Sequence, residues 1–267
     1  RSRRLGRVGM WAFVRNRVFR PGLESRIGRF GRHFIDLRST ERAHASLTSR
    51  SVGYGLDILS LDSLVFSRQQ KGTDTLFILG SGSSVNSLSD AAWGEMRQGV
   101  SAGINHWTLH SFVPDYYMFE PVQEARAGVE IQEISTKEIG HLNHLRCLDR
   151  SEVVESHAQI LSLPPRNDFE SAQIFQLPQA LRSRVRLYGR ITPVTRQTNN
   201  LPDDLNSLLQ MCKSLRGVVV PDSGATVARL LGLGVLAGFE RVVLVGVDLS
   251  NEYFWQFPEA KLASPGF

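Results

Sequence analysis

Cysteine is scarce in this chain: Cys147 and Cys212 are the only thiols in 267 residues. Two isolated thiols make neither a disulfide framework nor a cysteine metal cluster, so a reducing, cytoplasmic setting is expected. Long apolar runs are lacking too. No stretch reaches the roughly 18 residues that a membrane-spanning helix needs. No repeat of about 20–50 residues is visible, which excludes solenoids and propellers. Histidine ends early, at His157. The chain starts at Arg1 rather than Met and stops at Phe267, and both ends are expected to have been trimmed. What is there has the apolar fraction and moderate charge of a globular protein, long enough to bury a sizeable core.

The charge is unevenly spread. Residues 1–42 hold twelve arginines against Glu24, Asp36 and Glu41, a net of about +9, so the remainder carries about −4 of the chain's +5. Between the arginines stand Trp11, Phe13, Val14, Val18, Phe19, Ile27, Phe30, Phe34 and Ile35. Residues 1–45 therefore read as a basic amphipathic segment of helices broken by the Arg-Pro-Gly at 20–22. Such a segment could lie on anionic lipid, pack on the body of the protein or bind nucleic acid. Lipid contact is the partner carried forward, with a cytoplasmic place peripheral to the inner membrane; no nucleic-acid partner is expected.

Beyond a connector, residues 70–267 read as one α/β domain. Leu76–Leu79 is a short apolar strand, and Ser87 with Asp90 forms a capping pattern for a helix through Ala91 and Trp93. Val100–Trp107 reads as a second strand and the aromatic run from Tyr116 as a third, with a further strand near 130–135. Residues 141–206, with their prolines and polar runs, suggest loops and a lid. Order returns with a strand at Gly217–Val220, an apolar helix at Ala225–Leu236 stopped by Gly238, and a strand at Val242–Val245. Strand, glycine turn, helix, strand, twice over, predicts a parallel sheet.

The first of those turns is Gly80-Ser81-Gly82-Ser83-Ser84. Ligands of open parallel sheets bind outside the carboxyl ends of the strands. Glycines there let a ligand approach the backbone, and free N–H groups with serine hydroxyls suit phosphate or ribose oxygens. No Lys follows, so this is not a P-loop, and Val85 stands where a third glycine would complete Gly-x-Gly-x-x-Gly. Other strand ends add Asn105 and His106, Glu120, Asp222 and Ser223, and Asp248. Five adjacent strand ends with compact polar residues would form one convergent crevice; singly, each such residue also suits a turn or a helix cap.

Taken together, ILGSGSSVNSL, GINHW, PDYYMFEP, DSGATVARLLGLGVLAGFERVVLVGVDLS and YFW resemble the bacterial lipooligosaccharide sialyltransferases. Those pair a Gly-x-Gly-x-Ser turn with a later Ser-Gly, an apolar helix and a Gly-x-Asp strand end. The pattern is also similar to the related domain of flagellin-modifying glycosyltransferases and archaeal pterin pyrophosphokinases. It covers Leu76–Glu120 and Val218 to about Trp255. The resemblance implies a Rossmann-like fold, helices on both faces of a mostly parallel sheet, that binds a CMP-activated nonulosonic acid. By it, Gly80, Ser81 and Gly82 line the nucleotide, with Ser83 beside them, and Asn105 bonds it from the neighbouring turn. Ser223 and Gly224, after Asp222, lie by the cytosine or phosphate, and Tyr253 falls in a region that contacts the leaving phosphate.

The chain departs from that family in three places. Ser81 replaces an asparagine in the family's Gly-Asn-Gly, the arginine before Ser-Gly is replaced by Val220-Pro221-Asp222, and the downstream catalytic histidine has no counterpart before Phe267. His106 is the first substitute base, near neutral in reference pKa and at a strand end; His110 and Glu120 follow, and Asp248 completes the acid–base candidates. The expected activity is inverting transfer of a 2-keto sugar acid (sialic acid, a related nonulosonate or Kdo) from its CMP donor to a surface glycan. No metal and no cofactor beyond the CMP-sugar donor are expected. A pterin-type diphosphokinase with Asp222, Asp248 and Glu120 as metal ligands, or a non-catalytic nucleotide-sugar-binding subunit, are the alternatives. Oligomeric state is not legible.

Overall fold

The computed structural model describes residues 41–120, 147–191, 210, 212, 218–221, 225–248 and 252–262, without the side chains of Phe169 and Pro221. Helix α1 runs over 41–54 and buries Leu47. The strands β1 (Asp57–Ile58), β2 (Thr75–Leu79), β3 (Val100–Ile104), β4 (Tyr116–Phe119), β5 (Gln159–Ser162), β6 (Val185–Leu187) and β9 (Arg241–Val245) form one sheet in the order β1-β6-β5-β4-β3-β2-β9. Every neighbouring pair is parallel. Strands β7 (Gly189–Ile191) and β8 (Val219–Pro221) pair separately, also in parallel. The protein is thus an α/β, Rossmann-like fold.

The strand sequences explain the architecture. Thr75–Leu79 and Val100–Ile104 are continuous rather than alternating in burial, because central parallel strands are covered on both faces. Tyr116 and Tyr117, adjacent in β4, show the two layers. The Tyr116 hydroxyl meets Ser67 of helix α2 (Leu61–Lys71) at 2.6 Å, while the Tyr117 hydroxyl accepts from Arg150 at 3.2 Å on the opposite face. Ser60 caps the start of α2 by accepting from the Asp62 N–H, and Gly72 ends it in the left-handed conformation (φ 60°). Helix α3 (Asp90–Gln98) buries Trp93 and Met96 on the Tyr117 side. It is capped by Ser89, which accepts from Ala92 N–H; Ser87 instead ends a 3-10 turn, Ser83–Ser87.

Three expectations are corrected. The described part of the lid-like region supplies β5 and β6, the second and third strands of the sheet counting from β1, together with helices α4 (Ser151–Ser156), α5 (Asp168–Phe175) and α6 (Gln179–Arg182). Each of those strands has only three or four residues, too short to show a period among prolines and arginines. The strand read at Val100–Trp107 ends at Ile104, where Asn105 turns to positive φ (50°) and opens the 3-10 turn Asn105–Leu109. The strand read at Gly217–Val220 is β8, Val219–Pro221, and lies outside the main sheet. So the five strand ends are not all adjacent: those of β4, β3, β2 and β9 are, and that of β8 is not. The apolar helix is α7, Thr226–Leu236, with Gly238 (φ 75°) just beyond it as expected. The strand expected near 130–135, residues 1–40 of the basic segment, and Asp222, Ser223 and Gly224 lie outside the described residues.

Candidate functional site

From β2 the sheet grows in sequence order through β3, β4, β5 and β6, whereas β9 adds on the other side of β2. The order therefore reverses between β2 and β9, and a crevice is expected at their carboxyl ends. The Gly80–Ser84 turn sits there, facing the turn Gly246–Asp248 that leaves β9. The two are bonded together: Gly80 N–H donates to the Val245 carbonyl and Gly82 N–H to the Gly246 carbonyl, both at 2.7 Å.

This contact accounts for the glycines. A Cβ at Gly80 would run into the Gly246 carbonyl, and one at Gly82 into the Asp248 carboxylate. Gly246 itself has φ 62° and faces Val85, so three glycines let two chain turns close on one another. Asp248 completes the closure. Its carboxylate accepts from the Ser84 N–H at 2.9 Å and from the Ser84 hydroxyl at 2.6 Å. The backbone donor that the sequence reading offered to a phosphate is satisfied by this side chain. Ser83 turns the other way: its N–H donates to the Glu252 carbonyl and its hydroxyl to the Glu252 carboxylate, at 3.2 and 3.3 Å.

A second segment, 252–256, closes over the turn. Phe254 N–H donates to the Ser81 carbonyl and the Asn86 amide to the Phe254 carbonyl, each at 3.0 Å, and Gly82 bridges Tyr253 in antiparallel fashion. Phe254 is wholly buried. On this anchor Tyr253 and Trp255 stack nearly parallel, centroids 4.5 Å apart and planes at 10°. The His106 ring stands 5.0 Å from the Trp255 ring. The structure therefore brings together Gly80, Ser81, Gly82, Ser83, Asp248, Tyr253 and His106, with Asn105 adjacent to His106 on the same turn.

Glu120 is placed differently. It forms an ion pair with Arg229 of α7, whose side chain is only 2% exposed while that of Glu120 is 36% exposed. Burial lowers the Arg229 pKa, and the guanidinium, a donor with no acceptor capacity, occupies carboxylate lone pairs that a base would need. His110 is a core residue. It packs against both Trp93 and Trp107 at 5.0 and 4.5 Å, with Phe254 edge-on at 5.2 Å. Its Nδ1 accepts from the Phe112 N–H at 2.9 Å, which leaves the proton of the neutral ring on Nε2. Desolvation first, then Lys261 and Arg150, push its pKa down to about 4. A buried, weakly basic ring of this kind does not suit general-base work at neutral pH, so His106 is the better placed of the two histidines.

Sequence reasoning gave no role to Trp255, Glu252 or Arg229. The Tyr253-Phe254-Trp255 run was the available signal, three aromatics in a loop rather than a strand. Arg229 was hidden because it stands alone in an apolar helix. Among the described residues no three His, Cys, Asp or Glu side chains gather as metal ligands. Cys147 and Cys212 are buried and free, with both thiol pKa values raised by burial, that of Cys212 to about 12.

Comparison of the chain with family models, with curated proteins and with solved structures finds no match in any of the three. Fold and site define the class, an α/β protein with a parallel sheet and a cluster of polar and aromatic side chains at the point where the strand order reverses. No helix among the described residues is long and apolar enough to cross a membrane.

Proposed function

We propose that the chain is an inverting glycosyltransferase that takes a 2-keto sugar acid from a CMP-activated donor and passes it to a glycan hydroxyl. The observation that supports this reading best is the convergence of Asp248, His106, Tyr253 and Trp255 around the Gly80–Ser84 turn at the reversal of strand order. The fold alone is compatible with many activities, so the weight rests on that side-chain set and on the motif resemblance.

In this reading His106 takes the proton of the acceptor hydroxyl. That oxygen forms a bond to the anomeric carbon as the bond to the CMP phosphate oxygen breaks, and CMP departs with the electron pair. Asp248, an acceptor already holding the Ser84 N–H, suits ribose hydroxyls better than phosphate, because a carboxylate repels an anion. Asn105, raised into the left-handed region beside His106, can hydrogen-bond the nucleotide from the β3 side.

The same carboxylate favours a second reading, a diphosphokinase in which Asp248 would approach phosphates through a metal ion. The test is CMP release from CMP-sialic acid and CMP-Kdo with a panel of glycan acceptors, run beside calorimetry with CMP, CTP and ATP, with and without magnesium. Acceptor-dependent CMP release supports the transferase. Magnesium-dependent binding of ATP without any response to CMP overturns it.

A further inference from the structure

We propose that the outer face of Tyr253 is a stacking shelf for the nucleobase of a bound nucleotide, backed by Trp255 and held rigid by the Gly80–Asn86 turn. The proposal rests on the nucleotide reading of the site given above, and it assigns to Tyr253 a role carried by its ring rather than its hydroxyl.

Tyr253 is 40% exposed although Trp255 covers one of its faces. The open area is therefore on the face and edge turned away from Trp255. An exposed tyrosine in a loop ordinarily has free rotamers, and fixing one on a ligand costs entropy. Here that cost is already met. Tyr253 N–H donates to the Gln256 side chain at 2.9 Å, Ser83 N–H and Phe254 N–H tie the flanking residues to the turn, and buried Phe254 stands edge-on to Trp255 at 5.2 Å. Trp255 in turn has His106 on its flank.

Two near-parallel rings with centroids 4.5 Å apart form an ordered stack that ends in the exposed Tyr253 ring. A flat aromatic heterocycle matches such a face over its whole area, and stacking on one aromatic side chain contributes about 1–3 kcal/mol per base. The position is right for it, because Tyr253 bridges Gly82 at the carboxyl end of β2. A base on Tyr253 would leave its ribose near the Gly82 turn, where Asp248 closes on Ser84.

The experiment titrates the full chain with CMP, UMP, AMP, GMP, ribose 5-phosphate and free sialic acid, following tryptophan emission, with Trp255→Phe to identify the responding indole. Nucleotides are expected to quench Trp255, and ribose 5-phosphate and sialic acid are not. Tyr253→Ala should weaken CMP binding by about five- to hundredfold, while Tyr253→Phe stays within about twofold. Since Tyr253 is exposed, an unchanged circular dichroism spectrum and melting temperature are expected for both variants.

The stacking proposal falls if Tyr253→Ala binds CMP like the parent. It also falls if Tyr253→Phe is as weak as Tyr253→Ala, or if sialic acid quenches Trp255 as well as CMP does. If CMP binds without any dependence on Tyr253, the donor reading survives and the shelf does not. If AMP or GMP binds in a Tyr253-dependent way and CMP does not, the shelf survives and the CMP-donor reading fails. If none of the nucleotides binds, both are overturned.

Discussion

Asp248, at the end of β9, caps the turn that follows β2: its two carboxylate oxygens take the Ser84 N–H at 2.9 Å and the Ser84 hydroxyl at 2.6 Å, across 164 residues of sequence. The bond joins the two strand ends between which the sheet order reverses. It sets the first expectation. Asp248→Ala should cost about 1 kcal/mol of stability, the usual loss for a removed N-terminal cap. Urea denaturation measures it, and an unchanged midpoint would mean that water replaces the carboxylate at no cost.

Gly82 and Asp248 should behave as a coupled pair. A methyl at Gly82 collides with the Asp248 side chain, Cβ included, so Gly82→Ala is expected to lose about 1–3 kcal/mol through overpacking. The coupling between Gly82 and Asp248 is visible in the double variant: Gly82→Ala with Asp248→Gly should be more stable than the sum of the two single losses predicts. Strict additivity would show that the added methyl is accommodated elsewhere. Gly82→Val, bulkier still, should also abolish the stabilisation by CMP seen in a thermal-shift measurement.

His110 should make the protein acid-sensitive. Its folded pKa, about 4, lies below the ordinary 6.5, so the unfolded chain binds the proton first as pH falls. The stability contributed by the neutral ring is full above pH 6.5 and is lost progressively between 6.5 and about 4. The loss over that window is about 3 kcal/mol. His110→Gln should flatten the stability profile between pH 6.5 and 4.5, measured by denaturant midpoints at each pH. A profile as steep as the parent's would place the titrating group elsewhere.

Glu120 and His106 should separate stability from chemistry. Glu120→Ala removes a partner of the buried Arg229 guanidinium, and the loss should be about 1–2 kcal/mol, less than for a fully buried ion pair because Glu120 is 36% exposed and water screens it. Its activity should recover at temperatures where the variant stays folded. His106→Gln should keep the parent's melting temperature and lose about 100-fold or more in kcat, since general-base catalysis contributes on that order. Retained kcat in His106→Gln would remove it from the mechanism.

The basic segment is proposed to hold the protein at an anionic membrane surface, each engaged arginine contributing about 1 kcal/mol. Leu47 is buried within α1, so the cut that tests this must fall before residue 41. A chain lacking residues 1–40 should fold and no longer sediment with phosphatidylserine vesicles, whereas the full chain should do so less as salt rises. Continued sedimentation of the shortened chain would sink the proposal.

The central strands and their turns were legible in the sequence for a local reason. Thr75–Leu79, Val100–Ile104 and Tyr116–Phe119 are largely apolar runs with glycine, asparagine or proline close by, and burial on both faces of a parallel sheet favours such runs; Arg241–Val245 lies at the sheet edge with Leu244 exposed, and was legible from its run of valine and leucine before Gly246. Helix α7 was legible because eleven residues allow a helical period to show. The strands β5 and β6 were not, since three or four residues carry no period and their place between β4 and β1 depends on pairings far apart in the chain. The same holds for the site. Residue types alone singled out Gly80, Gly82 and Asp248, but any of them could have faced a ligand. That their two turns meet, that Glu120 is taken up by Arg229, and that His110 packs against two tryptophans are outcomes of long-range packing. Polar side chains satisfy whatever donor or acceptor the fold brings within reach, and only the tertiary structure decides which one that is.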